Sequence, residues 1–507
     1  MSDAEAAGLE AGLPEASYSR TKKTAALTAA ALVVNLGKLA LSVILARILT
    51  VTDLAAYNQT LLAYQTFIPV LGLGIPQAMI YLLSRNEGRV KALVNECFIL
   101  LLGAGAVYAL FIALGGRYFL AERVNNPLVA DILPWMIPLA LLTSADLIRT
   151  PVLVHQNRIT FGVWYSAVST VFRVACVIVA VLFARSAGPA ITAYSLSFAF
   201  ASAAGLAVVY RLLPAGLGRI RLRSLPGILK VALPLGVSGI LAAFSRDLAK
   251  WVVSVMRTPE EFAVFSYGAM ELPFVSTLTG VIGTVVIVDM VRFAKEGRMQ
   301  DAVRLFRRTA EVTSYVIFPM MAFFLVAAEP FYRVLYTDRM LGAVPVFRIY
   351  LFLLPARTVQ YNSLLIALGL SRGVMYRSML GLAADAALSL LLVGAMGPVG
   401  ASVASLLATY LVILPVNLYL ISKSTGVHWK RVLPFDHFRR CLLAVLVPAA
   451  LGAAIAFLPG IFSPLARLVL TAAVFAVSIL VSYRVVFRED FAVWKRKALA
   501  MLKGRKA

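Results

Sequence analysis

Fourteen apolar stretches, each long enough to cross a bilayer as a helix, dominate this 507-residue sequence. A helical crossing needs about 20 mostly apolar residues. Such stretches run over approximately 24–49, 54–83, 92–115, 130–154, 160–184, 187–213, 228–256, 262–291, 312–336, 345–369, 375–396, 399–422, 440–458 and 465–487. In hydrocarbon the backbone must satisfy its own polar groups, so only helices and closed barrels cross. Barrel strands alternate apolar and polar residues, whereas these stretches are continuous. The chain is therefore predicted to be an all-α polytopic membrane protein with about 14 transmembrane helices. Its 61% apolar and 14% charged residues exclude a soluble enzyme and a disordered scaffold. Prolines 69, 76, 138, 234, 273, 319 and 355 lie inside the stretches. Kinked helices are expected there.

The charge balance sets the orientation. Lys and Arg number 48 against 24 acids, a net charge of +24. With the N-terminus in the cytoplasm, 34 of the basic residues fall on the cytoplasmic side and 9 outside. The positive-inside rule then places both termini in the cytoplasm, which an even number of spans requires. The positive charge is an orientation and lipid-surface feature, and no nucleic-acid partner is needed to explain it. Cys97, Cys176 and Cys441 fit no metal spacing. His155, His428 and His437 fall in predicted loops, so no metal site is expected.

The connections are short. Residues 1–19 are small, acidic and aperiodic and are expected to be disordered and cytoplasmic. The connection 292–311 reads either as an amphipathic surface helix (Val303, Phe306 and Ala310 opposite Arg304, Arg307 and Arg308) or as a solvated basic linker. Residues 489–507 form a basic tail with interleaved Phe491 and Trp494, expected on the inner leaflet.

An internal repeat organises the spans. Sliding the chain by 208 residues lays Thr50, Asp53, Leu54, Ala55 and Tyr57 on Thr258, Glu261, Phe262, Ala263 and Phe265, and Gly72 on Gly280. Lys38 in span 1 falls on Arg246 in span 7. Spans six apart run in the same direction, so the halves are parallel repeats about an axis along the membrane normal. The expected organisation is a six-helix bundle over 20–213, a cytoplasmic linker at 214–227 and a second bundle over 228–422. Two added helices follow over 423–488, then the tail. The two bundles are expected to be related by pseudo-two-fold symmetry.

Charges inside spans single out candidate site residues. A mid-span charge costs at least ~2.5–3.5 kcal/mol on insertion scales, so it faces a cavity or a partner. Ala31, Asn35, Lys38 and Ser42 share one face of span 1, and Gly239, Ala243, Arg246 and Lys250 share one face of span 7. Two equivalent helices would present cations, suited to an anionic ligand at the midplane. The other reading is structural, with each cation paired to Asp247, Glu271 or Asp385. Lys250 lies one turn from Asp247 and could simply pair with it. Asp247 could instead carry a coupling ion or proton. Glu271 and Asp385 read as counter-charges first and as coupling-ion or proton carriers second, while Arg357 and Arg173 either line a cavity or form pairs. Gln65, Gln360 and Asn362 join Asn35 and Ser42 as polar span residues suited to sugars, or to interhelical hydrogen bonds, as are Gln59 and Gln77. No phosphate-binding loop, catalytic triad or large outer loop occurs, which argues against ATP hydrolysis and against a membrane glycan polymerase or ligase.

The stretch from Leu45-Ala46-Arg47 through Thr50-Val51-Thr52-Asp53 to Tyr57, with Leu71-Gly72-Leu73-Gly74-Ile75-Pro76-Gln77, resembles the first two spans of bacterial polysaccharide flippases. These belong to the multidrug/oligosaccharidyl-lipid/polysaccharide (MOP) exporter superfamily. The chain has Thr50 and Ala55 where that family usually has Gly. The resemblance implies a transporter, not an enzyme. It would sit in the bacterial cytoplasmic membrane and flip undecaprenyl-diphosphate-linked O-antigen or exopolysaccharide units by alternating access. It further implies a cationic cavity for the diphosphate, here Lys38, Arg246, Lys250, Arg357 and Arg173, and a lipid-tail groove at spans 13 and 14. Polymerase and export machinery of the same pathway would be partners. No cofactor is expected, and proton, sodium or membrane-potential coupling are all compatible. The alternatives are a peptidoglycan-precursor (lipid II) flippase and a MATE-type drug exporter. The latter tends to use acids for cationic drugs.

Overall fold

The structure is a computed structural model that describes residues 16–85, 87–213, 218–270, 272–457 and 463–488. Every regular element among them is helical. Twelve helices are long and apolar enough to cross a membrane: Ala29–Ile48, Val51–Arg85, Val90–Arg123, Leu128–His155, Ile159–Ala184, Ala187–Leu212, Leu222–Met256, Met299–Leu335, Ser371–Met396, Pro398–Thr425, Phe435–Ala456 and Pro464–Val486. They correspond to predicted spans 1–7, 9 and 11–14. The remaining two are present but interrupted. Span 8 runs as Pro259–Gly268 then Pro273–Lys295, and span 10 as Ala343–Leu351, Pro355–Arg357 and Tyr361–Ala367. The fourteen-span, all-α architecture stands. The first helix begins at Ala16, ahead of the boundary expected at residue 20.

The chain divides into two compact units, Met1–Asp247 with Thr258–Glu260 and Leu248–Arg257 with Glu261–Ala507. The division falls inside span 7, after Asp247, and not in the connection 214–227. Packing explains this. Ile228 and Ala232 from the start of span 7 are buried in one cluster with Ile75, Met79, Leu93, Val94 and Ile148. Gly74 sits at a break in span 2 with φ +73°, where an L side chain is strained. A Cβ there would stand 2.1 Å from the Ala232 carbonyl oxygen. Only glycine lets span 7 approach this closely.

The residues that carried the resemblance serve helix initiation and packing. Thr50 caps span 2 by accepting the Asp53 N–H at 3.1 Å, and its hydroxyl donates to the Asp53 carboxylate at 2.6 Å. The other Asp53 oxygen accepts the Ala187 N–H at the start of span 6 at 3.0 Å. Leu54, Ala55 and Ala56 are fully buried.

The repeat reappears as hydrogen bonds between equivalent positions, with donor and acceptor exchanged. In the first unit Gln59 Nε2 donates to the Val124 carbonyl at 3.0 Å. In the second, the Tyr332 hydroxyl donates to the Tyr267 carbonyl at 2.9 Å. Both residues of the second bond lie 208 positions after those of the first. Helices starting at Val51 and Pro259 keep the same offset.

In the second unit, span 9 is one helix over Met299–Leu335, and it absorbs most of the connection expected at 292–311. Val303, Phe306 and Ala310 pack in a protein core with Val359, Tyr361, Leu364 and Leu365. The apolar stripe was visible in sequence, but it faces protein and not a membrane surface. Spans 13 and 14 both pack on span 9. The Tyr483 hydroxyl donates to the Tyr315 carbonyl at 2.9 Å, and the Phe323 and Phe475 rings lie 5.6 Å apart. Leu443, Val447, Val477 and Val485 on their outer faces are exposed, as lipid-facing residues are.

Candidate functional site

The interruption of span 10 builds a polar cavity in the second unit. Pro355 has no N–H to continue a helix. The backbone turns through Pro355–Arg357 and resumes at Tyr361. Carbonyls freed by the break find side-chain donors, as such breaks require inside a membrane. The Tyr410 hydroxyl donates to Phe352 O at 2.7 Å and the Thr313 hydroxyl to Thr358 O at 2.5 Å. Thr358, Val359 and Tyr361 turn inward and are buried, which leaves Arg357, Gln360 and Asn362 exposed on the other side.

Those three residues line a cavity of about 360 Å³ with Thr279, Arg377, Thr409 and Asn417. Its wall on span 12 includes part of a π-helical turn, Ala408–Ile413, a geometry that widens a helix and recurs at functional sites. Arg377 Nη1 donates to Asn417 Oδ1 at 3.1 Å and Nη2 to Ser378 Oγ at 3.1 Å. No carboxylate lines the cavity among the described residues. Two guanidiniums, three amides and the hydroxyl residues Thr279, Thr409 and Tyr361 thus line one space. The guanidiniums match phosphate oxygens, and the amides and hydroxyls match sugar hydroxyls.

The first unit carries a second cationic place. Lys38 on span 1 is exposed, and span 5, which carries Arg173, packs on span 1, with Thr170 and Val174 beside Gly37. Arg173 is held by neutral groups. Its Nη2 donates to Thr170 Oγ1 at 3.3 Å, and its guanidinium lies 4.6 Å from the Phe198 ring and 5.2 Å from the Tyr194 ring. Neither cation forms an ion pair among the described residues. The structure thus brings the span carrying Lys38 together with the span carrying Arg173. Arg246 stands exposed on span 7 of the same unit, while Lys250, one turn on, belongs to the other unit.

The remaining candidates separate into kinds. Asn35 lines an apolar pocket of about 250 Å³ between spans 1, 4 and 5, and the Ser42 hydroxyl donates to Leu39 O at 2.8 Å. Gln65 is exposed at the end of the helix Val51–Gln65. Gln59 is a structural residue, buried and bonded to Val124 and to Asn126 at 2.7 Å. Asp247 takes a hydrogen bond from Thr66 Oγ1 at 3.5 Å and no ion pair among the described residues. Asp385 was read as a counter-charge, but its carboxylate accepts from Ser405 at 3.2 Å and Ser389 at 3.4 Å and meets no cation among them. Glu271 lies outside the described residues.

Residues 44–345, more than half of the chain, match the family described as polysaccharide biosynthesis protein. The chain belongs to that family. Among solved structures it is similar to a protein titled "Lipid II flippase MurJ, inward closed conformation", at 14% identity and a TM-score of 0.71, over 91% of this chain and 99% of that one. It is also similar to a MATE multidrug transporter of the MOP superfamily in an inward-facing conformation (13% identity, TM-score 0.63, 78% and 96% covered). The Vibrio cholerae MATE transporter VcmN D35N mutant matches at 16% identity and a TM-score of 0.54, over 81% and 98%. A search of curated proteins found no match. This family member is a multi-pass membrane protein with the MOP transporter fold.

Sequence reasoning missed two features of it. Arg377 lies just inside the predicted span 375–396, where a terminal charge reads as a loop charge. Its neighbours on spans 10 and 12 make it part of the cavity. Arg149, near the end of the predicted span 130–154, reads the same way, yet it lies inside span 4, in the segment Arg149–His155. Its guanidinium pairs with Asp146 at 2.9 Å, with side-chain exposures of 17% and 9%, and it packs over the Tyr165 ring at 4.9 Å. The Asp-x-x-Arg spacing, one helical turn, was the available signal.

Proposed function

We propose that this protein flips an undecaprenyl-diphosphate-linked glycan, an O-antigen or exopolysaccharide repeat unit, from the inner to the outer leaflet of the bacterial cytoplasmic membrane by alternating access. The observation that carries the reading is the cavity with Arg357 and Arg377, amide-lined and with no carboxylate among its described residues, in a member of a polysaccharide biosynthesis family. Its charge suits a diphosphate and opposes a cationic drug, which sets the MATE-type activity aside. On this reading both termini face the cytoplasm, and the lipid tail follows spans 13 and 14. The fold likeness to a protein titled lipid II flippase favours one second reading, a peptidoglycan precursor as cargo.

The test is leaflet translocation in proteoliposomes with labelled isoprenoid-diphosphate glycans of both types. Wild-type protein is expected to move the polysaccharide-type donor faster. Movement of the peptidoglycan-type donor alone would select the second reading, and movement of neither would reject the function. In the same vesicles Lys38→Ala/Arg173→Ala is expected to slow transport at least tenfold, since each lost charge-assisted contact is worth about 1.5–3 kcal/mol. Unchanged transport by a well-folded double variant would remove these two residues from the path.

We also propose that Asp385 carries the coupling proton or cation. An intramembrane carboxylate held only by hydroxyls needs neutralisation from a mobile positive charge. Asp385→Asn is expected to transport at a rate indifferent to imposed proton and sodium gradients. A gradient response equal to wild type would exclude Asp385 from coupling.

A further inference from the structure

We propose that residues 218–223, in the connection between spans 6 and 7, form a basic strap that docks on an anionic lipid surface. The segment reads Gly218-Arg219-Ile220-Arg221-Leu222-Arg223, with basic and apolar residues in strict alternation and no acid. Loops of this kind normally hide their apolar side chains. Here Ile220 is 44% exposed and Leu222 70% exposed, and all three arginines are exposed as well.

The strap is pinned in place. Asn95 Nδ2 donates to the Gly218 carbonyl at 3.1 Å, and the Arg221 N–H donates to Glu96 Oε1 at 3.1 Å. Glu96 is 1% exposed, and its charge is met by Arg89 Nη2 at 3.0 Å. A Cβ on Gly218 would stand 2.8 Å from the Ala92 backbone nitrogen, so the strap lies directly on the start of span 3. Glu96 takes the backbone of Arg221 and leaves its guanidinium outward. Arg219, Arg221 and Arg223 make no ion pair among the described residues.

A rigid segment at the ends of two membrane spans, with three unneutralised cations beside two exposed aliphatic side chains, has the chemistry of the lipid interface. Arginines meet phosphate headgroups, and Ile220 and Leu222 enter the acyl boundary. Screening by salt follows, because the contact is at the surface.

The experiment uses the full chain with Leu222→Cys in a Cys176→Ala background. It carries an environment-sensitive dye and is reconstituted in phosphatidylcholine vesicles with or without phosphatidylglycerol. The expected result is a blue shift of emission when phosphatidylglycerol is present, reversed by high salt. Changing Arg219, Arg221 and Arg223 to Gln should abolish it, with affinity falling about fivefold per arginine removed. Changing all three to Lys should keep it. An equal shift in both lipids, or a shift that survives the glutamine variant, would overturn the proposal. A shift with added RNA but none with phosphatidylglycerol would also overturn it and assign the strap to nucleic acid. This readout does not depend on transport.

Discussion

Replacing Arg357 and Arg377 together by alanine is expected to reduce translocation of the lipid-linked glycan by about a hundredfold or more, while the protein stays folded. Each guanidinium–phosphate contact is charge-assisted and worth about 1.5–3 kcal/mol, so losing two removes at least about 3 kcal/mol of cargo binding. Folding is checked in the same variant, because Arg357 is exposed to the cavity and Arg377 donates to the neutral groups of Asn417 and Ser378. Lysine at both positions keeps the charge but loses the planar fork, so an intermediate rate is expected. The check is leaflet translocation beside a melting curve. Wild-type transport by the alanine variant would remove the cavity from the cargo path.

The second large effect concerns stability. Asp146→Ala is expected to destabilise the protein by about 3–5 kcal/mol, because it leaves the Arg149 guanidinium without its partner inside the first unit. The pair is bidentate, with Arg149 Nε and Nη2 reaching both Asp146 oxygens between 2.9 and 3.2 Å. Removing both charges in Asp146→Leu/Arg149→Met should recover most of the loss, since a well-packed apolar pair is often as stable as a buried ion pair. Thermal unfolding of the detergent-solubilised protein decides it. If the single and double variants melt alike, the pair carries no such cost and serves some other purpose.

The two residue pairs show how far the sequence could be read. Arg357 stood out because it lies mid-span two residues after Pro355, a place that left two readings open, cavity lining or a pair with Asp385. Arg377 and Arg149 did not stand out. Each sits near the end of an apolar run, where a charge normally snorkels to water, and linear counting places it in the loop. Asp385 read as a counter-charge because a carboxylate in a membrane demands a partner. Its partners turned out to be Ser389 and Ser405. The hydroxyl at Ser405 comes from another span, so helix packing chose it. Symmetry relates Lys38 to Arg246, while the packing of span 5 on span 1, which the sequence does not encode, brings the span carrying Arg173 beside the span carrying Lys38.

The sequence by itself determined the class, the number of spans and the repeat. Each of these follows from period and composition along one dimension: about 20 apolar residues per crossing, and a 208-residue offset at which the same two positions are bonded in each unit, with donor and acceptor exchanged. Tertiary structure alone decided which polar groups meet. A charge in hydrocarbon must find a cavity, a hydroxyl, an aromatic face or an opposite charge. Which of these it finds depends on the side chain that the neighbouring helix presents at the same depth, and spacing along one chain does not encode that.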